Sequence, residues 1–333
     1  MTDSVGTNSG PLAPSSKIYV AGHRGLVGSA IVRQLYARGC KNLILRRRAE
    51  LDLLNQAAVR VFFEEQQPEI VVLAAARVGG ILANSRYPAE FIYENLMIQA
   101  NIIHWSWKTG VRRLLFLGSS CIFPRLAPQP LKEEYLLSGP LEPTNEAYAV
   151  AKIAGIKMCE SYNRQFGTGY LSVMPTNLYG PEDNFDLEKS HVLPALIRKF
   201  HEAREQKRQE VVVWGTGKPR RELLHVDDMA DACLTLLELP ETPYRDLIDN
   251  LQPCLVNIGT GKDITIGELA LLVQEVVGHK GNIVFDPEKP DGMPQKLLDV
   301  SRMATLGWKA TISLREGVQD TYRWYKEQVR GTS

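Results

Sequence analysis

The sequence predicts a doubly wound α/β fold, a parallel sheet with helices on both faces, beside a smaller C-terminal α/β lobe. Three observations carry that expectation. Short apolar runs alternate with amphipathic stretches from Lys17 to about residue 178. Several runs, 70–76 and 114–118 among them, are continuously apolar, as strands buried on both faces are. The first run leads through a glycine-rich turn into a helix. Strands that alternate with helices build parallel sheets with right-handed crossovers.

Taken in order, residues 1–16 are rich in Ser, Gly, Thr and Pro, with neither the basic start nor the apolar core of a signal peptide, and read as a disordered tail. A strand follows over 18–21. The helix over 26–38 places Val27, Ala30, Ile31 and Leu35 on one face, with Gly39 as its stop. Strands are expected at 42–45, 70–75, 114–118 and 170–174, and helices at 56–66, from Pro88 to near Gly110, and at 146–166. Beyond residue 178 the rhythm changes. A helix (192–206), an isolated strand (211–214) and a Gly- and Pro-rich turn precede helices at 227–237, 266–277 and 314–328. The domain expectation is a nucleotide-binding unit over 17–178, joined again by 223–252 and 313–330, and a substrate lobe of 179–222 and 253–312.

Composition narrows the function. A length of 333 residues suggests about two domains at roughly 150 residues each. Thirty-nine Lys+Arg against 38 Asp+Glu leave a net charge of +1, which argues against nucleic acid or an anionic membrane as partner. No apolar run approaches the roughly 20 residues that span a bilayer. Five cysteines without CxxC spacing predict neither a disulfide framework nor a metal site, and fit a cytoplasmic protein.

The turn after the first strand reads Gly22, His23, Arg24, Gly25, Leu26, Val27, Gly28. A strand, a glycine turn and a helix N-terminus present free amides and a dipole that favour a pyrophosphate, the Rossmann-type dinucleotide site. An acidic residue near the end of the second strand would hold the ribose hydroxyls of NAD. Here Arg46, Arg47 and Arg48 stand instead, with Arg24 in the turn. Guanidinium groups bind a 2′-phosphate bidentately, so the expected cofactor is NADP(H). Arg48, Asp52 and Leu53 are candidate contacts on that side. Leu117, Gly118, Ser119 and Ser120 end the fourth strand, and Pro175, Thr176, Asn177 and Leu178 end the fifth, where the nicotinamide is expected.

Tyr148 and Lys152 lie four apart on a helix and share a face. An ammonium beside a phenol favours the phenolate, so the pair is expected to exchange a proton with a carbonyl or hydroxyl. Ser119 is expected at the sheet edge beside them. Cys121 lies two residues on, and alternation along an extended strand end would aim both side chains at one ligand. A thiolate is a competent base where cations lower its pKa, and an imidazole's near-neutral pKa suits an acid. On the residues alone, however, Cys121 more often packs as a small buried hydrophobe, and His191 stands as a surface residue at a helix start.

GxxGxxG, a serine ending the fourth strand and YxxxK together resemble the extended short-chain dehydrogenase/reductase family. AGHRGLVGSA, LGSSCIFP, LEPTNEAYAVAKIAG, MPTNLYGP and SHVLPA are similar to the branch that makes GDP-L-fucose, over about residues 17–324. The resemblance implies NADPH-dependent conversion of GDP-4-keto-6-deoxy-D-mannose to GDP-L-fucose, by epimerisation at C3 and C5 and then reduction at C4. It implies Cys121 as epimerisation base and His191 as acid, the latter also near the cofactor, and Ser119, Tyr148 and Lys152 as the reduction set. It carries Lys199, Trp214, Arg221 and Lys296 onto substrate contacts, with Asp291 a weaker candidate. It also implies a homodimer through the helices near 88–109 and 146–166. The chain departs from the branch at Arg77 (usually Lys), Phe123 (usually Tyr) and Gln295 (usually Arg), and lacks its His-Pro after Phe185. Gln295 puts nucleotide affinity most in doubt. The rival expectations are another nucleotide-sugar epimerase or dehydratase of the family, or a non-catalytic NADP sensor.

Overall fold

The computed structural model describes residues 11–187, 190–289 and 291–331. Its first half is strand and helix in turn: β1 (Ile18–Ala21), α1 (Leu26–Ala37), β2 (Leu43–Ile44), α2 (Gln56–Gln66), β3 (Ile70–Leu73), α3 (Ile81–Arg86), α4 (Pro88–Lys108), β4 (Arg113–Leu117), α5 (Glu146–Phe166) and β5 (Tyr170–Pro175). Then come β6 (Asn177–Tyr179), α6 (Val192–Glu205), β7 (Glu210–Trp214), β8 (Arg220–His225), α7 (Val226–Glu238), α8 (Glu241–Asn250) and β9 (Leu255–Ile258). The chain closes with β10 (Asp263–Thr265), α9 (Ile266–Val277), β11 (Asn282–Asp286), β12 (Gln295–Lys296), α10 (Ser301–Thr305) and α11 (Leu314–Gly331).

Every residue of β1, β3, β4 and β5 is buried. They form the centre of a six-stranded parallel sheet ordered β2-β1-β3-β4-β5-β9. Alternate residues face opposite layers. Ile18, Val20, Val72 and Leu115 pack with Ile31, Leu35, Met229 and Leu237 of α1 and α7. Tyr19, Val71 and Phe116 pack with Phe63, Ile102 and Ile156 of α2, α4 and α5. Each fully buried Leu, Ile or Phe contributes roughly 1.5–3 kcal/mol. The chain leaves β1 toward β2 on one side and returns to β3 on the other. That reversal opens a crevice at the C-terminal strand ends, the ligand-binding edge of this architecture.

A second, smaller core joins Leu196 and Phe200 of α6, Leu269 and Val273 of α9, and Val318 and Tyr322 of α11. Beside it lie the β10-β8-β12 sheet, to which β6 is added, and the β11-β7 pair. The capping box between Thr265 and Glu268 starts α9, and Gly278 (φ +80°) ends it. No helix among the described residues is long and apolar enough to cross a membrane.

Three expectations change. Of the expected tail, 1–10 lie outside the described residues, but 11–16 are anchored. Ser16 is buried, Lys41 N–H donates to the Pro14 carbonyl at 3.3 Å, and Leu12 packs on the core. The apolar Leu255–Ile258 run, expected in the second lobe, is instead the outer strand β9 of the main sheet, where all four residues are buried against β5. Helix α11, expected on the first unit, packs on α9 and β8 because Val318, Tyr322 and Tyr325 complete the second core.

Candidate active site

The turn between β1 and α1 is built by three glycines under different constraints. Gly22 has φ +84°, and a Cβ there would lie 2.8 Å from the Ala75 nitrogen. At Gly28 a Cβ would stand 2.1 Å from the Gly22 carbonyl oxygen, so helix and turn touch backbone to backbone. Gly25 is different. Its φ is −81°, and a Cβ would meet only the Gly22 oxygen, at an ordinary 3.5 Å. The protein itself therefore does not require glycine at 25. The position opens α1, whose N-terminus no side chain caps. An uncapped helix end faced by a residue without a side chain fits a closely approaching pyrophosphate. His23 beside it has a buried Nδ1 with no partner among the described residues.

The three arginines after β2 differ in availability. Arg46 donates to the Leu45 carbonyl at 3.0 Å and lies over Phe62, and Arg47 pairs with Glu50 at 3.2 Å. Arg48 and Arg24 are exposed and make no ion pair among the described residues, leaving both free for a phosphate. Asp52 accepts from the Leu54 amide, and the Leu53 carbonyl accepts from Asn101.

The reactive centre gathers at the end of β4. Ser119 is extended, and a 3₁₀ turn over Ser120–Ile122 follows it. This turn, rather than strand alternation, brings the Cys121 thiol back to the Ser119 hydroxyl. That hydroxyl neighbours both the thiol and the Tyr148 phenol and favours the ionised form of each. Tyr148 and Lys152 occupy one face of α5, the phenol edge-on to Phe91. The Lys152 ammonium donates to the Leu117 carbonyl at 2.8 Å and sits over Phe116. Burial pushes it down to about 8, partly opposed by the neighbouring Cys121. Burial raises the phenol well above the usual tyrosine range, with Cys121 adding to that and Ser119 opposing it. The expected lowering of the phenol by Lys152 is thus absent, since desolvation outweighs every neighbour. Burial also raises the Cys121 thiol, against Lys296 first, then Ser119 and Lys152.

His191 stands at the start of α6 with its side chain open to the cleft. Crowding by protein lowers its pKa, and the Lys296 ammonium lowers it further. Lys296 thus acts on both Cys121 and His191. The structure brings Ser119, Cys121, Tyr148, Lys152, His191 and Lys296 into one neighbourhood.

At the fifth strand's end Pro175 closes β5. The Thr176 hydroxyl and Asn177 amide donate to the Glu222 carbonyl at 3.2 and 2.8 Å. Lys199 donates to the Val212 carbonyl at 3.0 Å and stands 5.0 Å over the half-exposed Trp214 ring. Arg221 donates to the Met293 carbonyl at 2.6 Å. Asp291 accepts from the Thr216 amide and hydroxyl at 2.7 and 2.8 Å, which commits its carboxylate to the turn at Gly215. Of the departures, Gln295 donates to Asp263 at 2.6 Å, Arg77 pairs with Glu94 at 2.6 Å and also with Glu90, and Phe123 is buried. Glu222 is a residue that the sequence did not single out. Its signal was a carboxylate directly before the apolar Leu223 and Leu224.

The model of the NAD dependent epimerase/dehydratase family matches residues 18–249. GDP-L-fucose synthase of Escherichia coli (strain K12) is 58% identical over 313 residues, 93% of this chain and 97% of that protein. GDP-L-fucose synthase 1 of Arabidopsis thaliana is 56% identical over 330 residues, 99% of each chain. Among solved structures, a GDP-mannoheptose C4 reductase from Campylobacter jejuni with NADP bound is 45% identical and superposes with a TM-score of 0.86, over 94% of this chain and 99% of that one.

Proposed function

The chain belongs to the NAD dependent epimerase/dehydratase family, and on that premise we propose that it converts GDP-4-keto-6-deoxy-D-mannose to GDP-L-fucose with NADPH. A C4 ketone acidifies the protons on C3 and C5, so both centres invert through enolates. Inversion needs a base on one face and an acid on the other. Cys121 removes each proton, and His191 delivers one from the opposite side. When bound, NADPH supplies the hydride that reduces C4. Ser119 then donates a hydrogen bond to the C4 oxygen, and Tyr148 gives that oxygen its proton. The raised phenol keeps Tyr148 protonated at neutral pH, the form an acid requires. Lys152, held by the Leu117 carbonyl, fixes the face of α5 that carries Tyr148 and is placed to reach the nicotinamide ribose.

The observation that carries this reading is the meeting of Ser119 and Cys121, on the turn that ends β4, with Tyr148 and Lys152 of α5, where the Lys296 ammonium acts on both Cys121 and His191. It supports epimerisation and reduction at one centre. A 4-epimerase needs no such thiol–imidazole pair. The glycine turn, Arg24 and Arg48 hold the NADP diphosphate and 2′-phosphate. Lys199, Trp214, Arg221 and Lys296 take the GDP-sugar, Asp291 shaping the turn instead of binding. Five free cysteines suit a reducing cytoplasm. The packed α4–α5 pair, with Tyr93 and Val150 exposed, is the face for a homodimer, which sedimentation at micromolar concentration tests.

Incubation with GDP-4-keto-6-deoxy-D-mannose and NADPH, followed by NMR of the product, tests the activity. GDP-L-fucose is expected. A product reduced at C4 with C3 and C5 unchanged would assign the chain to a simple reductase, the chemistry that the Campylobacter jejuni relative is named for.

A further inference from the structure

Glu222 has no solvent exposure, yet its side chain touches no cation among the described residues. Its carboxylate instead accepts backbone amides from two separate segments. Oε1 takes Thr260 N–H at 2.6 Å and Gly261 N–H at 2.7 Å, in the loop between β9 and β10. Oε2 takes Leu298 N–H at 2.8 Å, two residues beyond Lys296. The fit leaves no room for another side chain, since a Cβ at Gly259 would stand 2.2 Å from Oε1. The same residue's carbonyl holds Thr176 and Asn177 at the end of β5.

A second side chain grips the amide between Lys296 and Leu298. Leu297 N–H donates to Gln129 Oε1 at 2.9 Å, and Leu131 N–H returns to the Leu297 carbonyl at 2.7 Å. Gln129 lies on the segment that leaves Cys121. In β12 itself Lys296 is in register with Arg221, the residue before Glu222. Two side-chain acceptors at consecutive amides, the fully buried Glu222 and the part-buried Gln129, therefore fix the backbone that presents Lys296. A long, flexible lysine needs such anchorage to hold its charge at one place.

We infer that Glu222 is a positioning residue, whose buried carboxylate, seconded by Gln129, pins the strand that keeps the Lys296 ammonium beside Cys121 and His191. The inference rests on the proposed roles of that pair, but its geometry does not depend on which sugar is turned over. Replacing the carboxylate by an amide leaves the side-chain volume and the backbone carbonyl intact. It weakens acceptance at three amides and turns an N–H₂ group toward at least one of them. Released, Lys296 stabilises a Cys121 thiolate less.

The test is the pH dependence of Cys121 alkylation by iodoacetamide, read by mass spectrometry on the intact protein without substrate. Glu222→Gln is expected to move the midpoint of that profile alkaline and to slow alkylation at neutral pH about tenfold or more. NADP affinity should stay within twofold of wild type. Gln129→Leu removes the other anchor and is expected to move the profile the same way, which keeps the inference exposed should Glu222→Gln fail to fold. Profiles that coincide with wild type in every folded variant overturn it. A wild-type protein that makes no GDP-L-fucose overturns the proposed activity, and the alkylation profiles still decide the role of Glu222.

Discussion

Alanine at Gly25 and at Gly28 separates what the glycine turn does for the fold from what it does for the cofactor. At Gly28 the new methyl would lie 2.1, 2.7 and 2.9 Å from the Gly22 oxygen, the Gly22 carbonyl carbon and the His23 Cα, all backbone that cannot rotate away. Overpacking of that kind costs about 1–3 kcal/mol, against about 1 kcal/mol gained by removing glycine from a helix. The net loss is about 0–2 kcal/mol, toward the upper end because the atoms met are backbone, and it lowers Tm by up to roughly 6 °C. At Gly25 the methyl meets one atom, at 3.5 Å, with φ in the ordinary range. The reduced freedom of the unfolded chain is worth about 0.4–1 kcal/mol, which offsets the poorer N-cap. Tm without nucleotide should therefore stay near wild type. Binding should not. The methyl stands where a pyrophosphate approaches the uncapped amides, and each charge-assisted hydrogen bond lost is worth about 1.5–3 kcal/mol, or about 10- to 100-fold in Kd. Thermal unfolding of both apo variants and calorimetric titration with NADP+ measure the two effects. Gly25→Ala binding NADP+ like wild type, or destabilised as much as Gly28→Ala, would refute the assignment of Gly25 to the ligand.

Other expectations follow from the remaining side chains. Arg48→Asp should raise KM for NADPH far more than for NADH, because Arg48 is exposed and free while Arg47 is paired; equal changes in the two steady-state constants would count against it. Cys121→Ser should lose solvent deuterium incorporation at C3 and C5 by NMR, whereas Tyr148→Phe should keep that exchange and lose NADPH oxidation. Lys152 falls from 10.5 to about 8 on folding, so between those values the unfolded chain binds more protons and stability rises with pH. Denaturant titrations from pH 8 to 10 should show wild type gaining on Lys152→Met across that window, with a constant difference below it.

What the sequence disclosed was local. The β1–turn–α1 unit, the uninterrupted strands β3 and β4, and Tyr148 with Lys152 one helical turn apart each depend on residues close in the chain, where periodicity and glycine placement suffice. Pairing across the chain left no such trace. An apolar run at 255–258 reads the same whether it flanks β5 or builds another sheet, and the choice is made by contacts such as Val173 with Val256. The triplet Arg46, Arg47 and Arg48 looked uniform until Leu45 and Glu50 were seen to engage two of them. Asp291 looked like a ligand contact until Thr216 occupied it.

The reactive residues share that division. Ser119 and Cys121 were expected together through strand alternation, and they meet because the chain turns into a 3₁₀ coil after Ser119. The cation comes from far along the chain: Lys296 stands 175 residues after Cys121 and lies in register with Arg221 through the pairing of β12 with β8. That pairing is held by Glu222 and Gln129, neither of which carries chemistry of its own. A base that depends on a distant cation is only as reactive as the backbone presenting that cation is fixed. In this molecule the capacity to ionise a buried thiol therefore lies less in the motif around Cys121 than in the amides that Glu222 accepts.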